Sequence, residues 1–183
     1  YNFTRLPVRV FIPNSTTGGE YISRPRQVAL REFGPLNILY YNGRKYQINQ
    51  MITQDLESSL TKAKIATPSG FFLEKEQLNR ERCPFSGADL SKDSNKRFIH
   101  NILELSESRT RPIERISCEE EERSAKGFNI QTYFSMDGRE LNNIKTTLIK
   151  AGDEELLRLR YITAARLIYI NDRWRSQKEE GFP

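Results

Sequence analysis

The sequence predicts a β-rich α+β fold, in which chained antiparallel hairpins form a curled sheet or small barrel carrying two or three short helices and a loop-rich insert. Three observations lead there. Apolar residues alternate with polar ones at period two in several segments, as half-buried strands require. Turn dipeptides, Asn42-Gly43 above all, separate such segments by hairpin lengths. The helix signals that exist are short and closely bracketed by stops.

Taken in order, Leu6, Val8, Val10 and Ile12 alternate along a strand that Pro13 ends. Asn14 to Gly19 reads as a loop, and Glu20-Tyr21-Ile22-Ser23 as a short extended piece. Pro25 suits the first turn of a helix over Arg26–Phe33, stopped by Gly34-Pro35. Ile38–Tyr41 and Lys45–Ile48 flank Asn42-Gly43, whose tolerance of positive φ selects a type I′ hairpin. Thr53 or Asp55 starts a short helix through Lys62, and residues 63–95 dissolve into Gly, Pro, Ser and charges. Phe98–Leu105 alternates again, with Ile99, Leu103 and Leu105 inward. Ser117-Cys118-Glu119-Glu120 is a capping box opening a helix to Lys126, with Gly127 as its C′ residue. Phe128–Phe134 is a strand, Asp137-Gly138 a second hairpin turn, and Glu140–Lys150 its partner strand. A third turn at Ala151-Gly152-Asp153 leads to Leu157, Leu159 and Tyr161 alternating with Arg158 and Arg160, and residues 165–171 extend the sheet. The expected division is 1–62, an insert at 63–95, and 96–183, the last forming one compact unit with the first.

Composition removes several classes of function. The 183 residues carry 29 Lys and Arg against 24 Asp and Glu, a net charge of +5. No apolar run reaches the ~18 residues of a membrane helix, and no secretory leader is visible. Two cysteines make no disulfide framework, so a reducing, cytoplasmic setting is expected. A single histidine, His100, argues against His-based zinc or acid–base chemistry. There is no phosphate-cradling Gly-rich loop, dinucleotide fingerprint or nucleophile elbow. Cys118 stands beside the carboxylates Glu119–Glu122, which oppose a thiolate. No catalytic residue is therefore expected. The chain begins at Tyr1 rather than Met and stops at Gly181-Phe182-Pro183, which suggests a piece of a longer protein.

One segment has the spacing of a metal site without its ligands. Zinc ribbons place two Cys-x-x-Cys pairs on tight turns, each closed by glycine. Positions 66, 69, 83 and 86 keep that spacing, with Gly70 and Gly87 following and Pro84 after Cys83. The occupants are Ala66, Ser69, Cys83 and Ser86, so only Cys83 remains as a ligand position. One thiolate does not hold structural zinc, and no bound metal is expected. Spacing alone leaves open a decayed ribbon or a coincidental polar loop.

Basic residues gather in clusters. Arg24, Arg26 and Arg31 flank the first helix, Arg109 and Arg111 precede the capping box, and Arg173, Trp174, Arg175 and Lys178 close the chain. In a cationic domain such sets suit phosphate contacts, with Trp174 available to stack on a base. A second possibility is docking through the acidic helix, by Glu119, Glu120, Glu122 and Arg123.

The phrases Tyr21-Ile22-Ser23-Arg24-Pro25-Arg26-Gln27-Val28-Ala29-Leu30-Arg31-Glu32-Phe33-Gly34-Pro35, Tyr40-Tyr41-Asn42-Gly43-Arg44-Lys45-Tyr46, Glu114 to Arg123 with Gly127-Phe128 and Thr132-Tyr133-Phe134, and Ile170-Asn171-Asp172-Arg173-Trp174-Arg175 with Lys178 and Gly181-Phe182 carry a resemblance over residues 5 to 183. The chain resembles the region downstream of the motor in large bacterial DEAD/DEAH-box helicases of superfamily 2 with a cysteine-rich C-terminal region, as in mitomycin repair and in antiphage systems of the DISARM and Druantia type. That group often keeps the ribbon cysteines, so the resemblance favours the decayed ribbon. It implies a non-catalytic accessory domain of an ATP-dependent DNA helicase or translocase in antiphage defence or DNA repair. The implied partners are single-stranded or forked DNA, bound without sequence preference, the motor of the same chain, and a defence-system partner subunit. The alternative is a protein–protein docking module joining motor to partner subunit. ATP and Mg are expected only for the parent motor, no cofactor for this piece, and no membrane.

Overall fold

Asn42 and Gly43 both adopt positive φ, 46° and 71°, as a type I′ turn requires. The hairpin they close is one of several in a computed structural model that describes residues 6–14, 18–53, 55–115 and 127–182. In chain order the elements are β1 (Val8–Ile12), β2 (Glu20–Arg24), α1 (Arg26–Glu32), β3 (Ile38–Tyr41), β4 (Arg44–Ile52), α2 (Leu56–Ser59), β5 (Thr61–Ala66), β6 (Phe71–Glu74), β7 (Lys96–Ile102), β8 (Glu107–Arg115), β9 (Phe128–Ser135), α3 (Gly138–Leu141), β10 (Lys145–Ala151), β11 (Glu154–Tyr161) and β12 (Arg166–Trp174). The fold is β-rich with short helices. The helix expected over 117–126, with Cys118, Glu119, Glu120, Glu122 and Arg123, lies outside the described residues. Among the described residues no helix is long and apolar enough to cross a membrane.

The chain divides into two compact units: residues 1–60, 103–131 and 169–183, and residues 61–102 and 132–168. The first holds a mixed sheet of order β2-β1-β8-β4-β3, in which β1 and β8 run parallel. Val8, Val10, Ile12 and Ile48 are buried on one face, where α1 supplies Ala29 and the following Phe33 completes the cluster. Alternation thus places β1 as expected, although Leu6 is exposed and lies before the strand. Register shifts between Arg44 and Tyr46 and between Ile48 and Gln50 mark bulges, which bend and curl a sheet. Among the described residues the sheet is open, with β2 and β3 as its edges.

The central strand β8 has no apolar alternation in its sequence. Its inward positions are hydroxyls instead: Ser108 is fully buried, and Thr110 donates to the Phe11 carbonyl at 3.0 Å. Arg109 and Arg111, alternating with them, occupy the outward positions.

The second five-stranded sheet has the order β12-β9-β6-β5-β7, and β10 with β11 forms a separate antiparallel ribbon. Residues 63–95 hold more than loops. The β5–β6 hairpin buries Ala63, Ile65, Ala66, Phe71, Phe72 and Leu73, and turns and single 3-10 segments fill most of 75–95. The Thr67-Pro68-Ser69-Gly70 turn and Lys64 inside the strand hid this hairpin. The short helix before β5 ends at Ser59, with Asp55 as its N-cap accepting from the Glu57 amide, so Lys62 belongs to the strand. Asp137-Gly138 is not a hairpin turn: Asp137 precedes the one-turn helix α3 and its carbonyl accepts from the Glu140 and Leu141 amides. β10 accordingly starts at Lys145. Leu103 and Leu105 follow β7 rather than lying in it.

Candidate nucleic-acid interface

β12 ends at Trp174, and the chain then turns back on itself. The Gln177 amide donates to the Trp174 carbonyl at 3.0 Å, and Arg173 Nη1 donates to the Lys178 carbonyl at 2.7 Å. The turn brings Arg173, Arg175 and Lys178 around one open cleft of about 410 Å³, shared with Asn129 of β9 and Gln177. The lining contains three cations and two amides and no carboxylate. Beside it Asp172 is buried, its Oδ1 accepting from Asn129 Nδ2 at 2.9 Å and lying 4.0 Å from Arg173 Nε. Arg175 and Lys178 are exposed. Two exposed cations, Arg175 and Lys178, thus stand beside an arginine, Arg173, that the Lys178 carbonyl and Asp172 hold in place.

Trp174 belongs to the same segment but not to that hollow. Its indole N–H donates to the Pro35 carbonyl at 3.2 Å, and its ring meets Phe182 edge-on at 5.1 Å. These contacts anchor the ring to the C-terminal turn.

A second cationic surface lies on the open face of the first sheet. Register puts Arg9 opposite Glu107, Phe11 opposite Arg109 and Gln47 opposite Arg111, so these side chains share the face away from Val8 and Val10. Arg111 binds the Gln47 amide oxygen through two N–H groups at 2.8 and 3.2 Å. Arg9 lies over the Tyr21 ring at 4.7 Å and pairs with Glu107 at 2.7 Å. Burial pushes the Glu107 carboxyl up, but hydrogen bonds from Arg9 and Tyr21 outweigh it and hold the group below its ordinary value. Arg9 was not among the residues picked from sequence; its place between Val8 and Val10 in a period-two pattern is the signal that assigns it to the open face. Asn129 and Gln177 carried no such signal.

The first-helix cluster is different. Arg24 pairs with Glu32 and Arg26 with Glu104, each at 2.8 Å, so two of its three charges are answered within the fold. Arg31 is exposed in the last turn of α1.

The four ribbon positions converge. Gly70 and Gly87 both have positive φ, 69° and 72°, and donate to the Ala66 and Cys83 carbonyls at 2.9 and 2.8 Å. The two turns are thus built alike, the Ser86 amide lies 3.5 Å from Cys83 Sγ, and Ser69 Oγ lies 3.6 Å from that sulfur. Around them pack Phe71, Leu90, Met136, Phe85 and Phe134. A hydroxyl pair, one buried thiol and a methyl do not fit zinc, whose structural sites need four strong donors. Among the described residues no group of three His, Cys, Asp or Glu could hold a metal ion.

No family model, no curated protein and no solved structure matches this chain.

Proposed function

We propose that this chain is a non-catalytic DNA-binding accessory domain of an ATP-driven helicase or translocase in antiphage defence or DNA repair, gripping the sugar–phosphate backbone rather than reading bases. The observation that carries the reading is the C-terminal cleft, where Arg173, Arg175 and Lys178 meet two amides with no carboxylate in the lining. Cations on flexible stems hold phosphates of any sequence, which suits a strand that must slide. Arg109 and Arg111 offer a second row of contacts. ATP and Mg belong to the parent motor in this reading. The matched turns at Ala66–Gly70 and Cys83–Gly87 are read as a zinc ribbon whose ion has given way to an aromatic and aliphatic core.

Fluorescence anisotropy with labelled single-stranded and forked oligonucleotides tests the proposal. Binding is expected to weaken steeply with salt, and Arg173→Glu with Arg175→Glu is expected to abolish it. Unchanged binding by that double variant, with the fold intact by circular dichroism, would falsify the cleft as the grip.

A second reading, a docking module for the motor or a partner subunit, draws on the β10–β11 ribbon. Both strands are exposed along their whole length, and Ile149, Leu157, Leu159 and Tyr161 fall on one side by register. Under that reading Leu157→Ser with Leu159→Ser disrupts co-purification with the partner and leaves DNA binding unaltered.

A further inference from the structure

β7 is an edge strand, and it carries an aromatic pair that the fold does not bury. Phe98 is 45% exposed. Its ring stacks on His100, with centroids 6.0 Å apart and planes inclined by 27°; His100 is exposed as well. Neither ring belongs to the apolar cluster of its unit. Phe98 faces Lys64 across the β5–β7 ladder, so the two share a face of the sheet. The Lys64 ammonium lies 5.8 Å from the Phe98 centroid and donates to the Arg80 carbonyl at 2.8 Å. Exposed Lys62 is on the same face by alternation. Glu81 is the carboxylate close enough to act on Lys64, and Lys96 is the neighbouring cation.

The backbone beside the pair is irregular. Thr61 faces Ile102 but Ala63 faces Ile99, and Asn101, inside that shift, has φ 56°. A bulge built on a non-glycine residue in the left-handed region is a re-aiming device, favoured next to functional positions. Here it follows directly after His100.

We propose that Phe98 and His100 form a stacking platform for unpaired nucleobases, with exposed Lys62 neutralising the phosphates that travel with them. This rests on the nucleic-acid reading above and adds the origin of a preference for single strands. A duplex hides its base faces in its own stack, whereas every unpaired base offers one, and aromatic side chains accept it without regard to sequence. The C-terminal cleft then supplies affinity for phosphate in either form, and the β7 pair supplies the discrimination.

The test compares the full chain binding a labelled oligothymidylate of about 15 nucleotides with its binding to a duplex of similar length. Phe98→Ala is expected to weaken single-strand binding about tenfold, the scale of one lost stacking contact, and to leave duplex binding unchanged. Phe98→Tyr, which keeps a ring, is expected to bind as the parent chain does. Thermal melting checks that Phe98→Ala still folds. Photocrosslinking with 5-iodouracil gives an independent readout, with attachment expected on the β7 peptide. Parent-like oligothymidylate binding by Phe98→Ala, or crosslinks confined to other peptides, overturns the platform. If Arg173→Glu with Arg175→Glu still abolishes binding in that case, the cleft stands without the platform. A parent chain that binds neither oligonucleotide overturns both.

Discussion

Glu107 shows how one carboxylate organises the open face of the first sheet. It accepts from Arg9 Nε at 2.7 Å and from the Tyr21 hydroxyl at 3.0 Å. Its folded pKa lies below the ordinary 4.5 because those donors outweigh the effect of burial. A depressed carboxylate contributes stability above its unfolded pKa, and that contribution disappears as pH falls through the folded value. Glu107→Gln is therefore expected to melt lower than the parent near pH 7, the gap closing as pH falls through the folded value; a gap that persists in strong acid contradicts the pairing. Asn129 is the second residue with a definite role. Asn129→Ala removes the amide donor from buried Asp172, a loss of about 1–3 kcal/mol measurable by denaturant unfolding, and it also takes one wall from the cleft. The closeness of Arg173, Arg175 and Lys178 was legible because they lie near one another in sequence. Asn129 was not, since only the pairing of distant segments brings it to them. For Trp174 the residue type suggested stacking, and its contacts with the Pro35 carbonyl and the Phe182 ring come from segments that the type alone does not announce.

Among the elements, several with a local physical signature were read correctly, Asp137-Gly138 being an exception. The Asn42-Gly43 turn, the alternation of β1, the Pro25-to-Gly34 helix and the Gly152 turn each rest on a few adjacent residues. β8 escaped because its buried face is made of Ser108 and Thr110, hydroxyl residues without an apolar pattern, and the Thr110 hydroxyl finds its acceptor only on a neighbouring strand. β5 escaped because Lys64 is buried within it, its ammonium held by a carbonyl far along the chain. The ribbon-like turns lie between these cases: their spacing was visible, and their convergence is a property of the fold. If they are a decayed zinc ribbon, Ala66→Cys, Ser69→Cys and Ser86→Cys together with the native Cys83 are expected to bind one equivalent of zinc and to raise the melting temperature. Elemental analysis of the purified variant checks this; substoichiometric metal contradicts the shared ancestry of the two turns.

At the scale of the molecule, a net charge of +5 says little until its distribution is known. Arg24 and Arg26 answer carboxylates within the fold, Arg9 answers Glu107 and Arg173 lies beside Asp172, while Arg175 and Lys178 of the C-terminal cleft are exposed. The charge that remains outward is what a nucleic-acid strand would meet. Each phosphate contact with single-stranded DNA contributes about 0.7 to the slope of log affinity against log salt. The most direct measurement is therefore the oligonucleotide affinity of the full chain between about 50 and 200 mM salt, with and without the Arg173→Glu and Arg175→Glu substitutions. The expected result is a steep negative slope for the parent chain and no measurable binding for the double variant. A flat salt dependence, or equal affinity for the two proteins, would contradict the assignment of the cleft to DNA.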